Sequence, residues 1–413
     1  MNIKSMFTLV TVLVLGSTIL NSCLKIDHVS PTDTRAQLQY LTDSLYQRFN
    51  GKWGIGKNEG GLFLQVNTPA GSNLVSSNIE PGVQGNTYFR IASITKTFTA
   101  AAIILLQQEG KLNINDFIPA YLPNTPAYDI PYKGQITIKQ LLQHRAGVFD
   151  ITNQDIPKTV NQPYAGKRYG EYVRKELKQD THTFTFDEQV GVVAQNKLSN
   201  FAPGTTFQYS NTGYNLLGKI IEKISSMSYS DFIRTRFLEP LKLTNTYSVW
   251  QGTDQRMKDP FVQSYLYLPG EPVENTPEDN MSLYVTEGNL VSTPADITRW
   301  MELLMTGQAG LTSQSVAMMQ EMLPADVSHG VYGLGLTFNE GLGYGHDGAH
   351  LSFVSTLRYN PATKTTVLLV ANFIKISGIP EIPGDITSRD AGFLELALGV
   401  RNTALRAAQI ANK

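Results

Sequence analysis

The sequence predicts an α/β fold in which one antiparallel sheet, flanked by helices, is built from both ends of the chain and carries an inserted helical lobe. Three observations lead there. Strand-like segments occur early, at 60–68 and 86–91, and return late, at 334–338, 353–359 and 365–371. Between them the apolar spacing is helical. Asn360-Pro361-Ala362-Thr363-Lys364 supplies a hairpin turn between the last two strands. Chain ends that both contribute strands most simply share one sheet, which leaves roughly 111–290 as a helical lobe and a cleft between the two parts.

The elements follow in order. Leu38, Leu41, Leu45 and Phe49 recur at helical spacing, so a helix is expected over 36–49. A second helix spans 98–109, rich in alanine and leucine, and Gly110 is its natural stop. Further helical stretches cover 138–143, 186–196, 212–224 and 229–237, and a helix over 391–400 closes the unit, giving one catalytic domain over 36–400.

The bulk properties exclude some classes. Basic residues number 34 and acidic residues 35 in 413, so there is no excess positive charge to attract nucleic acid. The single cysteine rules out an intramolecular disulfide. That residue, Cys23, follows a leader with Lys4 at its head and an apolar run over 6–15, of secretory length and too short to span a bilayer. Leu20-Asn21-Ser22-Cys23 resembles a bacterial lipobox, with Asn21 in place of a small residue. The resemblance implies cleavage before Cys23, lipid attached to it, residues 24–35 as a tether, and a membrane-anchored protein of the bacterial cell envelope, in the periplasm or at the outer membrane. Stable anchoring needs more than one acyl chain. Ordinary secretion with a bystander cysteine is the alternative. Oligomeric state is left open.

The chemistry begins with Ser93-Ile94-Thr95-Lys96 at the mouth of the second helix. Residues i and i+3 share a helix face, so hydroxyl and amine can meet, and the helix N-terminus favours negative charge on the serine oxygen. Alone, the motif is equally a capping serine and a solvated lysine. An ordered set of segments changes that: Ile91-Ala92 before the serine and Thr97-Phe98-Thr99-Ala100 after it, Gly110-Lys111-Leu112, Tyr121-Leu122-Pro123, the stretch 138–147 with Arg145 and Ala146 near its end, Phe201-Ala202-Pro203-Gly204, Tyr209-Ser210-Asn211, Pro240-Leu241, and Glu287-Gly288-Asn289-Leu290 before Ser292-Thr293 and Asp296. Together they resemble the serine β-lactamase and penicillin-binding-protein superfamily, in its class C β-lactamase-like branch with DD-peptidase and esterase relatives. The likeness runs over about 60–373.

That resemblance implies a β-lactamase/transpeptidase-like fold and two-step acyl transfer through an ester on Ser93, with Lys96 as base. It implies that Tyr209 moves the serine proton to the leaving group and that Asn211 binds the substrate's acyl side chain. His346-Asp347-Gly348-Ala349 stands where the family has Lys-Thr-Gly. His346 is expected beneath the site, charging or sharing protons with the cluster. Gly348 makes room for substrate along the strand, and the backbone N–H groups of Ala349 and Ser93 form the oxyanion hole. His144 and His350 read as loop histidines. Asp347 replaces a threonine whose hydroxyl helps bind a substrate carboxylate. No Lys or Arg lies between Arg299 and Arg358, so Asp347 is expected to repel such a carboxylate, unless Arg145 or another cation compensates or the side chain turns away.

No His-x-His or Cys cluster has ligand spacing and no Gly-rich phosphate loop is present, so neither metal nor cofactor is expected. The expected function is a DD-peptidase-like amidohydrolase acting on D-amino-acid or peptidoglycan-derived peptides of the cell envelope. A carboxylesterase and then a β-lactamase are the alternatives of the same fold; a non-catalytic muropeptide-binding lipoprotein is the alternative of another class.

Overall fold

The computed structural model describes residues 33–350, 352–376 and 390–413; the leader, Cys23 and most of the tether lie outside them. The described chain runs through α1 (Thr34–Trp53), β1 (Leu62–Thr68), β2 (Gly71–Ser77), α2 (Thr95–Gln108), α3 (Ile138–Leu142), α4 (Phe186–Gln195), α5 (Asn211–Ser225) and α6 (Pro294–Met305). It continues with β3 (Leu323–Pro324), β4 (Val331–Tyr332), β5 (Thr337–Asn339), β6 (Gly343–His350), β7 (Phe353–Asn360), β8 (Thr365–Ala371) and α7 (Ala391–Ala411).

The chain ends share one sheet, as expected. Its eight strands lie in the order β2-β1-β8-β7-β6-β5-β4-β3, and β1 pairs antiparallel with β8, Leu62 opposite Ala371. Successive side chains in a strand point to opposite faces, so the sheet has two cores. Leu62 and Leu64 of β1, Val354 of β7 and Val367 and Leu369 of β8 face α1 and α7, where Leu45, Phe49, Leu396 and Val400 cover them. Phe63, Leu357, Leu368 and Val370 face the other way, into the large core shared with α2, α5 and α6. Asp33 caps α1 by accepting from the Ala36 N–H at 3.0 Å, and Leu38, Leu41, Leu45 and Phe49 form its buried stripe.

Several expectations shift. Strand β2 is small and polar in sequence, which suits its place at the sheet edge with much of its surface exposed. The segment 86–91 keeps only Phe89–Arg90 as strand, paired with Leu290–Ser292 in a separate small sheet, because Ile91 already leads into the turn that carries Ser93. Of 334–338, only Thr337 and Phe338 lie in β5. Gly335 turns there with φ +70°, and a Cβ on it would lie 2.4 Å from the Ala100 Cβ and 3.0 Å from the Lys96 carbonyl oxygen. Apolar residues that resemble a strand thus form a turn pressed onto α2. The last helix extends to Ala411, and α6, which the apolar spacing did not single out, packs directly on α2.

That contact fixes the helix that carries the lysine. The Trp300 ring of α6 stacks on Phe98 at 3.8 Å with planes 8° apart, and its indole N–H donates to the Thr97 hydroxyl at 2.9 Å. Trp300 is fully buried. Trp300→Ala is expected to lower stability by about 3–5 kcal/mol, the usual cost of emptying so large a buried site, as read from the midpoint and slope of denaturant unfolding.

Candidate active site

Ser93 sits in a short 3-10 turn, Ala92–Ile94, that feeds directly into α2. Ala92 holds φ +50°, a left-handed conformation that costs a non-glycine residue on the order of 1–3 kcal/mol. The neighbouring strand holds it there. Strand β5 pairs only with Gly343, Tyr344 and Gly345 of β6, so the rest of β6 presents an edge with no strand partner on that side. At Gly348 this edge meets the serine turn: an added Cβ would lie 2.6 Å from the Ile91 carbonyl oxygen and 3.3 Å from the Ala92 Cβ. The glycine therefore lets strand and serine turn touch. Ala349, one residue on, is exposed.

Lys96, the second residue of α2, has no solvent exposure. Its Nζ lies 2.7 Å from Asn211 Oδ1, 2.8 Å from the Glu287 carbonyl oxygen and 3.3 Å from Ser93 Oγ. Burial lowers its pKa to about 8, against the opposing pull of Glu287 and Asp150. The partners then have a valence consequence. An amide oxygen and a carbonyl oxygen only accept, so an uncharged Lys96 donates its two N–H groups to them and is left with one lone pair, facing Ser93 Oγ. Asn211 opens α5, whose N-terminus is capped by the Ser210 hydroxyl accepting from Gly213 N–H at 3.2 Å. Its amide oxygen thus accepts from Lys96.

Beneath this group lie two acids to which the sequence reading gave no role. Glu287 is buried, accepts from the Thr152 hydroxyl at 3.0 Å, and is pushed well above the usual carboxyl range by burial, with Asp150 adding to the shift and Lys96 opposing it. Asp150 accepts from the backbone N–H groups of Thr152 at 3.1 Å and Asn153 at 3.3 Å. Burial drives both Lys96 and Glu287 toward their uncharged forms.

The Tyr209 hydroxyl is buried beside Ser93 without a hydrogen bond of normal geometry. Burial raises its pKa well above the ordinary value, opposed by Ser93. Its ring lies 4.7 Å from Lys96 Nζ and is flanked by His144, with centroids 4.1 Å apart, and His329, at 5.0 Å and 10° between planes.

Three histidine readings need correction. His346 is buried, but its ring contacts the Tyr332 hydroxyl, with Nε2 at 2.8 Å, and makes no hydrogen bond to Ser93, Lys96 or Tyr209. Burial, followed by the charge on Lys96, lowers its pKa to about 3, so it is a neutral ring and not a charge beneath the site. His144 belongs to a turn in its backbone only; its ring is buried against Tyr209 and lies 3.2 Å from the Tyr332 hydroxyl. His350 ends β6 and binds buried Asp279, Nε2 to Oδ2 at 2.7 Å. His144 lies within the stretch 138–147 that contributes to the resemblance, whereas Tyr332 lies in none of those segments.

Asp347 is the other correction. No cation lies near it in sequence, yet the structure brings two: Arg358 of β7 at 2.8 Å and Arg401 of α7 at 2.6 Å. Asp347 lies opposite Thr356 in the ladder and His346 opposite Leu357, so strand alternation sends Asp347 to the face covered by α7, away from the face that carries His346. Arg145 takes no part; its guanidinium donates to the Pro324 carbonyl. Burial alone would raise the Asp347 pKa, but Arg358 and Arg401 outweigh it and hold the carboxyl well below the usual range. A carboxyl depressed in the folded state stabilises above its unfolded pKa of about 3.9 and loses that contribution as pH falls. Asp347→Asn is therefore expected to lower the melting temperature clearly at pH 7 and progressively less below pH 4, as followed by thermal unfolding across that range.

Comparison with known proteins bears on the family and the fold. The β-lactamase family model matches residues 68–374. Protein flp of Staphylococcus aureus (strain NCTC 8325 / PS 47) is 29% identical over 294 residues, covering 69% of this chain and 53% of that protein. Penicillin-binding protein 4* of Bacillus subtilis (strain 168) is 28% identical over 284 residues, 65% of this chain and 56% of its own. The chain thus spans about half the length of these relatives. Among solved structures, D-amino acid amidase from Ochrobactrum anthropi SV3, complexed with L-phenylalanine amide, superposes with TM-score 0.70 at 23% identity, covering 92% of this chain and 99% of that one. A D-stereospecific amidohydrolase from Streptomyces sp. gives 0.67 at 24%, covering 81% and 94%. These two establish likeness of fold. With the family match extending over well over half of its length, including the serine turn, the Tyr209 segment and strand β6, the chain belongs to the β-lactamase family of serine hydrolases.

Proposed function

We propose that this protein hydrolyses amide bonds of D-amino-acid or peptidoglycan-derived peptides through an acyl-enzyme on Ser93. The observation that carries the reading is the set of partners around Lys96 Nζ, two pure acceptors and one serine hydroxyl. In the first step Ser93 Oγ attacks the carbonyl carbon and its proton passes to the lone pair of Lys96. The oxyanion is received by the N–H groups of Ser93 and Ala349. The C–N bond then breaks as the leaving amine takes a proton through Tyr209. Water attacks the resulting ester, giving the acid and free Ser93. Asn211 in this reading holds Lys96 and, from the same position, meets the acyl side chain.

The D-amidase and penicillin-binding relatives favour an amide of a D-residue over other acyl substrates. Pairing of Asp347 with two arginines removes the electrostatic objection to a free carboxylate on the substrate, so D-Ala-D-Ala peptides belong with D-aminoacyl amides in the screen. Nitrocefin and short-chain p-nitrophenyl esters complete it. Faster turnover of esters than of every amide would turn the reading into an esterase.

Three outcomes test the chemistry. Ser93→Ala is expected to abolish labelling by a fluorophosphonate, with the wild-type adduct found on Ser93 by mass spectrometry. Lys96→Ala is expected to slow acylation by several powers of ten with folding intact. Since the uncharged lysine is the base, the wild-type acylation rate should rise about tenfold per pH unit up to about 8 and then level. A flat profile between pH 6 and 8 sinks Lys96 as the base.

For location we propose a lipid anchor on Cys23, supported by the leader and the lipobox-like Leu20-Asn21-Ser22-Cys23. Expressed in a bacterium with its leader, the protein should incorporate labelled palmitate and partition into detergent, and Cys23→Ser should abolish both.

A further inference from the structure

Two buried histidines, neither bonded to the reacting serine, are joined by one tyrosine. His144 Nε2 and His346 Nε2 lie 3.2 and 2.8 Å from the same Tyr332 hydroxyl. The outer ring nitrogens end on backbone: Ser210 N–H lies 3.1 Å from His144 Nδ1, and His346 Nδ1 lies 2.5 Å from the Asp347 carbonyl oxygen. Every proton in this chain can be placed by valence. A backbone N–H only donates, so His144 Nδ1 accepts and His144 carries its proton on Nε2. A carbonyl only accepts, so His346 carries its proton on Nδ1 and its Nε2 is bare. Tyr332 accordingly accepts from His144 and donates to His346. The neighbouring Tyr214 hydroxyl donates elsewhere, to the Leu142 carbonyl at 3.0 Å.

The chain crosses the site. Ser210 and His144 belong to the helical lobe, Tyr332 to β4 and His346 to β6. The charged or titratable groups that face it are Lys96 from α2, Tyr209 and His329 beside His144, Tyr214 from α5, and Asp347 and Arg358 beside His346. Lys96 opposes a second positive charge on either ring, and both imidazoles are shifted below their ordinary pKa, chiefly by burial. Of the four rings around Tyr209, those of His144, His329, Tyr332 and His346, the His144 ring lies nearest, and the Tyr209 hydroxyl itself makes no hydrogen bond of normal geometry.

We propose that Tyr332 is a positioning residue: its hydroxyl fixes the orientation of His144 and His346 as one neutral hydrogen-bonded chain, and through the His144 ring it holds Tyr209 in place for proton delivery to the leaving group. This rests on Tyr209 having that role. Tyr332→Phe removes one oxygen and keeps the ring. An aryl ester leaving as p-nitrophenolate needs little proton delivery, whereas an anilide needs it fully.

The test compares p-nitrophenyl esters with p-nitroanilides of the same D-acyl group. Tyr332→Phe should slow acylation by the anilide at least tenfold through kcat, leave the ester within about twofold, and match the selectivity of Tyr209→Phe. Equal slowing of both substrates, or of neither, overturns the proposal. Wild-type protein that fails to acylate at Ser93 refutes the function proposed above and not the chain, which has its own measurement. In 15N-histidine NMR of the wild type, with peaks assigned from His144→Gln and His346→Gln, one ring should be the neutral Nε2–H form and the other the neutral Nδ1–H form, unchanged from pH 5.5 to 8.5. Titration of either ring in that window, or two identical tautomers, overturns it even where Tyr332→Phe does not fold.

Discussion

The site depends on one constraint, the complete burial of the Lys96 amine. An ammonium removed from water costs several kcal/mol, and a lysine in that position gives up its proton more readily, here near pH 8. In its uncharged form, which takes over near pH 8, the nitrogen has two N–H groups that need acceptors, and the structure brings one from each side. Asn211 reaches in from the start of α5, and the Glu287 carbonyl arrives on the segment leading to Leu290–Ser292. Several parts of the chain are thereby organised around a single atom. The Trp300–Phe98 stack and the Gly335 turn pin α2 from other directions, so the lone pair has little freedom in where it points.

Strand alternation then divides labour along β6. On one face His346 meets Tyr332 and, through it, the helical lobe. On the other Asp347 meets Arg358 and Arg401 and ties the strand to α7. Adjacent residues of one motif thus serve opposite layers. A carboxylate beside the edge that meets the serine turn is tolerable because its charge is neutralised behind the sheet. Gly348, at the next position, contributes by what it lacks: without a Cβ the edge can approach the strained Ala92 and the serine turn.

Polar groups buried at this depth are ordinarily satisfied, and most here are. The chain from Ser210 N–H to the Asp347 carbonyl uses every ring nitrogen it contains. Of the buried side-chain polar atoms of the described residues that lack a hydrogen bond, two, the Tyr209 hydroxyl and Glu287 Oε2, belong to the cluster around Ser93 and Lys96. Unspent groups at the centre of the cluster are what a site needs if its protons are to move during reaction.

The sequence by itself determined the sheet shared between chain ends, the helix that carries Lys96 and the Ser93–Lys96 pairing. Those rest on local rules: period 2 or 3.6 in apolar residues, turn chemistry at Asn360–Lys364, and an i, i+3 spacing that needs no tertiary information. It also marked Tyr209, Asn211 and Gly348 through an ordered set of segments. Only the tertiary structure decided what surrounds them. Arg401 lies 54 residues from Asp347 and Tyr332 lies 188 from His144, and no local pattern encodes which charge or hydroxyl will arrive across such distances. For the same reason His346, whose sequence position suggests a cation, is a neutral ring: its protonation is set by burial and by the charge of a lysine on another element, both properties of the packed chain.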